Sequence, residues 1–344
     1  MTFLDKTLRA MGAQTARREN ARQLAVGGLV GEVGPGPAWV DESRRKSALL
    51  HGVLRAALAE VVDVLDDEIP HVVLKGEPLV RTLYGDTSLR SSGDIDLLVL
   101  PGDYEEVRRR LMACGYEPRH EEGPRMWAHN QEAMVHAEHG IWVEIHWMLA
   151  LPAVPHVPLG RVFGSRQAFA LSDDLTVDVL AEDWMGIHLA LHFHHHTGCV
   201  RGLLDMAAWC DRVAPRLEET TFVQKARDCG LGGLVQWPLH TIAILTGDEP
   251  PMYVEDVDDP VRAWATVSAW AANDALSRAL SGGVRDSLAA LMPTVGPMVW
   301  VPVEALSMLV VDGDGMVKGE ALLRPILHGP HFVGRWWRGL GVRR

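Results

Sequence analysis

The feature that most constrains this chain is a pair of aspartates two apart in an apolar run, Asp94-Ile95-Asp96-Leu97-Leu98-Val99-Leu100. Its aliphatic and β-branched residues predict a strand. Successive side chains on a strand point to opposite faces. Asp94 and Asp96 therefore share one face, and Ile95 turns to the other, into the core. Two carboxylates on residues whose Cα atoms are about 6.5–7 Å apart along a strand repel each other, and an unpaired charge in an apolar setting is costly. A divalent cation removes the conflict by taking oxygen ligands from both. On its own, the pair is a weak signal and reads as two solvated acids at a strand edge.

A third acid sits in a similar setting. In the run from Ile141 to Leu149, Val143, Ile145 and Trp147 alternate with Trp142, Glu144 and His146. Glu144 lies in the middle of a strongly apolar strand. A cation shared with Asp94 and Asp96 would partner it, and so would water on the open face of an antiparallel strand.

The surrounding sequence gives these strands a frame. A helical period over 41–68 carries Leu50, Val53, Leu54, Ala57, Leu58 and Val61 on one stripe, with Asp41 or Ser43 as cap and Pro70 as stop. "HVVLKG" reads as a short strand ending at Lys75-Gly76, and "EPLVRTLYG" as a short helix stopped by Gly85. "DYEEVRRRLMACG" reads as another helix with Gly115 past its end. "RMWAHN" and "AMVHAE" read as two strands joined by a tight turn. The order β-α-β-α-β-β-β predicts an α+β fold, a mixed sheet with helices on it. From Asp183 to about residue 290 the pattern is helical, and the last fifty residues are punctuated by Pro, Gly and Trp. The expected divisions are an N-terminal helical segment over 1–70, the sheet domain over 71–180, a helical domain over 181–290 and an extension over 291–344.

A net charge of −12 argues against non-specific nucleic-acid binding. The four cysteines form no C-x-x-C pair, which fits free thiols in a reducing compartment. The first twenty residues lack the apolar core of a secretory signal, and no segment offers the roughly 18 apolar residues a spanning helix needs. A cytoplasmic protein is expected.

Taken together, Lys75-Gly76, Arg90, Asp94-Ile95-Asp96, Gly115-Tyr116 and Glu144-Ile145-His146 resemble the nucleotidyltransferase-fold proteins of the DNA polymerase β superfamily. The likeness is greatest to the bacterial branch labelled uncharacterised nucleotidyltransferases. It covers roughly residues 71–150. It implies a nucleotidyltransferase-fold sheet domain and transfer of a nucleoside monophosphate from a nucleoside triphosphate to a small-molecule or peptide acceptor. Mg²⁺ or Mn²⁺ would be held by Asp94, Asp96 and Glu144. Family members occur beside natural-product genes, which points to a tailoring role. Better-known superfamily members carry Gly-Ser after the first strand, where this chain has Gly76-Glu77. Phosphate contacts would then pass to Lys75, Gly76, Arg90 and Ser92. Phosphoryl transfer on the same fold, or a non-catalytic nucleotide-binding or scaffold role, are the alternatives.

Other signals are weaker. His188, His192 and His195 or His196 fall on one side of a helix, a spacing that could bind zinc or line a cleft together with His146 and Asp205. "VVDGDGMVKGE" lacks the full ligand set of a calcium loop and reads as a turn. "HFVGRWWRGLGVRR" is a basic aromatic tail that could meet a membrane surface, an acidic partner or the protein's own acidic body.

Overall fold

The computed structural model describes residues 2, 4–6, 38–66, 68–119, 131–149, 157–195, 200–250 and 252. The "RMWAHN" segment, His196, the calcium-loop-like segment, the basic aromatic tail and all helices expected beyond residue 252 lie outside these residues.

The first long element is helix α1 (Ala38–Leu65). It already runs at Ala38, so Asp41 lies in its first turn and Ser43 inside it, and neither is the cap the sequence suggested. Leu54, Ala57, Leu58, Val61 and Leu65 form its buried stripe. Val53 falls outside that spacing and is 53% exposed, which corrects its expected place on the stripe. The chain continues through β1 (His71–Val73), α2 (Gly76–Leu83), β2 (Asp94–Val99), α3 (Tyr104–Ala113), β3 (Tyr116–Pro118), β4 (Gln131–His136) and β5 (Trp142–His146). Then come α4 (Leu159–Gly164), β6 (Gln167–Ala170) and β7 (Thr176–Val179). Four helices follow: α5 (Glu182–His195), α6 (Val200–Arg212), α7 (Glu219–Asp228) and α8 (Gly232–Thr246).

The strands form one seven-stranded sheet in the order β3-β4-β5-β2-β1-β7-β6. It is mixed: β2 runs parallel to β5 and β1 parallel to β7, while the other neighbours are antiparallel. The fold is α+β. On one face Ile95, Leu97, Val99, Val143 and Ile145 pack against Leu58 and Val61 of α1 and Val107 and Leu111 of α3. On the other, Val72 and Leu98 join α2, α5 and α6 in a second core containing Trp184 and Trp209. The helical half of the chain thus builds its core on the sheet. Asp94, Asp96 and Leu98 alternate onto that second face. Leu98 is covered by apolar neighbours, and the two acids at the start of β2 lie beyond them.

Candidate active site

Topology explains how the charged residues meet. β1 is antiparallel to β2, with Val73 opposite Leu97, so the end of β1 lies beside the start of β2. The Leu74 amide donates to the Asp96 carbonyl at 3.0 Å, which fixes Lys75 next to the aspartates. On the other side β5 runs parallel to β2 with Asp96 directly opposite Glu144, so the two acids project from adjacent strands on one face. His146, two residues further along β5, shares that face.

The hydrogen bonds converge on one oxygen. Lys75 Nζ lies 2.9 Å from Asp96 Oδ1, and His146 Nε2 lies 3.1 Å from the same atom. His146 Nε2 is also 3.6 Å from Glu144 Oε2, and Gln131 Nε2 donates to that Glu144 oxygen at 3.1 Å. Asp96 is buried. Burial alone would raise its carboxyl, but the Lys75 ammonium and the His146 ring override this and hold it well below the usual range. Asp94 goes the other way. Burial and the neighbouring Asp96 charge raise it to about 6, against a weaker pull from Lys75. Burial disfavours the charged forms of Lys75 and His146. The surrounding carboxylates outweigh it, and both groups are pushed above their ordinary values. The two aspartates on one face thus differ in their need for a counter-charge: Asp96 has one, and Asp94 has too little.

These residues fit a divalent cation. Among the described residues, ligand atoms of Asp96, Glu144 and His146 lie within 4.8 Å of one another. Asp94 stands outside that group but opens on the same side, and its unmet charge is one a cation would relieve. An adjoining cleft is lined by Arg55 of α1, by Lys75, Gly76 and Glu77 where α2 begins, and by Asp94 and Asp96. Gly76 adopts φ +73°, a conformation that favours glycine and sends the chain from β1 straight into α2. Glu77, directly after this glycine, is folded inwards. Arg55 donates to both of its oxygens at 2.7 Å, and Arg81 Nη2 lies 2.5 Å from Oε1.

Several expected residues lie elsewhere. Arg90 was expected on the phosphates. Its guanidinium is 4% exposed and meets the Asp205 carboxylate in a fork, at 2.7 and 2.8 Å. Ser92 is buried, with its hydroxyl accepting from Arg90 Nη1 at 3.3 Å. Asp205 is 1% exposed and also accepts from Tyr84 Oη at 2.7 Å, so it braces the interior and does not line a cleft. The histidine helix contributes His188, which is buried, and His192, whose ring centroid lies 6.2 Å from it. Burial and the Lys75 charge lower His188 to about 3, so its imidazole is neutral. Sequence reasoning missed Gln131, Arg55 and the inward turn of Glu77. Gln131 fell in the turn expected between two strands, whereas β4 begins at it.

The sequence profile of a family described as uncharacterised nucleotidyltransferase matches residues 37–247, more than half of the 344 residues. A crystal structure of an antigenic nucleotidyltransferase-like protein from Paracoccidioides brasiliensis is similar at 17% identity and a TM-score of 0.36. That alignment covers 58% of this chain and 93% of the other. No curated protein matches the chain by sequence.

Proposed function

The chain belongs to the uncharacterised nucleotidyltransferase family, and from that premise we propose that it moves a nucleoside monophosphate from a nucleoside triphosphate to a small-molecule or peptide acceptor. The observation that carries this reading is the register of β2 and β5, which sets Asp96 opposite Glu144 with Lys75 bonded to the same aspartate. Asp94, Asp96 and Glu144 would hold a divalent cation, Mg²⁺ or Mn²⁺. When bound, such an ion supplies Lewis-acid stabilisation of phosphate charge and lowers the pKa of a coordinated hydroxyl.

The protein's own residues divide the remaining work. The Lys75 ammonium neutralises Asp96. With a triphosphate bound, it would be able to swing to a phosphate oxygen. Arg55 lines the same cleft and is held by Glu77, so it offers a second cation, an oriented guanidinium. Glu144, fixed by Gln131, stands where an acceptor hydroxyl would lose its proton. Catalysis of this type depends on positioning and charge complementarity more than on covalent participation.

The test is transfer of label. The protein is incubated with a cation, an acceptor extract and a nucleoside triphosphate labelled at the α or the γ phosphorus. Transfer from the α position with pyrophosphate release is the expected result. Transfer from the γ position alone would make it a phosphotransferase.

A further inference from the structure

We propose that the cation site has a nitrogen donor, His146, and therefore selects a first-row transition ion such as Mn²⁺ over Mg²⁺. The inference rests on the metal-dependent reading of this site and deepens it. The group whose ligand atoms approach within 4.8 Å is Asp96, Glu144 and His146, two oxygens and an imidazole, and it differs from a set of three carboxylates. Atoms bound to one ion at about 2.0–2.2 Å stand at most about 4.4 Å apart, so this group needs only a small adjustment to close. His146 has little freedom to leave it. Its side chain is 12% exposed, it shares a strand face with Glu144, and its Nε2 already lies 3.1 Å from Asp96 Oδ1.

A second observation points the same way. His188, on α5, is 5% exposed, and neither ring nitrogen has a hydrogen-bond partner among the described residues. The groups that act on it electrostatically are Lys75, Asp96 and His146, the members of this site. Buried imidazole nitrogens without partners call for an explanation. A cation with its coordinated water would supply partners on that side. Oxygen-only sites suit Mg²⁺ and Mn²⁺ alike, whereas an imidazole donor favours first-row transition ions, whose affinity rises from Mn²⁺ through the later ions, over Mg²⁺.

The experiment titrates the full-length protein with MnCl₂ and MgCl₂ by calorimetry, for the wild type and for His146→Gln. The wild type should bind Mn²⁺ at least about tenfold more tightly than Mg²⁺. His146→Gln should remove most of that preference, leaving Mg²⁺ affinity within about twofold. Pulsed EPR of the Mn²⁺-loaded wild type reads the donor directly and does not depend on how the variant folds. A ¹⁴N coupling is expected, and its absence overturns the inference. Equal affinity for both ions also overturns it. If nucleotide still binds with Mg²⁺ in either case, the transferase reading stands. Failure to bind either ion would overturn both.

Discussion

At the residue scale, Asp94 and Lys75 have opposite standing. Asp94 is raised to about 6 in the folded protein, above the roughly 3.9 of an unfolded aspartate. Folding thus favours its protonated form, and stability is lost as the pH rises through 6. Asp94→Asn should therefore melt higher than the wild type in EDTA at pH 8, by a few degrees, and the gap should narrow as the pH falls to 5. A lower melting temperature at pH 8 would contradict the charge conflict. Lys75 stabilises Asp96 and faces the cleft. Lys75→Met should weaken triphosphate binding about ten- to hundredfold, the worth of a charge-assisted hydrogen bond, and weaken nucleoside binding much less. Titration of both ligands checks this, and equal weakening would reduce Lys75 to a structural ion pair.

At the element scale, α5 and α6 cross closely. A Cβ added at Gly186 would lie 2.4 Å from the Trp209 ring, which is fully buried and donates from Nε1 to the Glu182 carbonyl at 3.1 Å. Gly186→Ala should cost about 1–3 kcal/mol or more by overpacking, read as a lower denaturant midpoint. Nothing in the sequence around Gly186 announces this, because it depends on a residue 23 positions away. The elements carrying the site were more legible. Asp94-Ile95-Asp96 and Glu144-Ile145-His146 each show alternation broken by charge, and their strands lie where that pattern puts them. The β6–β7 hairpin was not expected, although Leu175, Val177 and Val179 alternate. Its strands are four residues each, and Pro-rich sequence precedes them. Arg90 was placed on the phosphates because its partner, Asp205, lies 115 residues away and leaves no local trace.

At the scale of the whole molecule, the Arg90–Asp205 fork joins the two halves. It ties the loop before β2 to α6, while α1 holds the same loop through Ser47 to the Thr87 carbonyl and His51 to the Arg90 carbonyl, each at 2.8 Å. The acidic strand is therefore entered through a segment pinned from both faces of the sheet. Arg90→Met would leave Asp205 buried without its cation and should cost about 3–5 kcal/mol in chemical unfolding. The molecule that did fold should keep its ratio of triphosphate to nucleoside affinity, unlike Lys75→Met. No described helix is long and apolar enough to cross a membrane. If the face shared by Asp94, Asp96 and Glu144 holds a cation, nucleotide binding should depend on that cation. Calorimetric titration of the wild type and Asp96→Asn with a panel of nucleoside triphosphates, with a divalent cation and then in EDTA, tests it most directly. Binding is expected only with the cation, and none in Asp96→Asn whose melting transition is intact; binding of equal strength in EDTA, or unchanged in the variant, would contradict cation dependence.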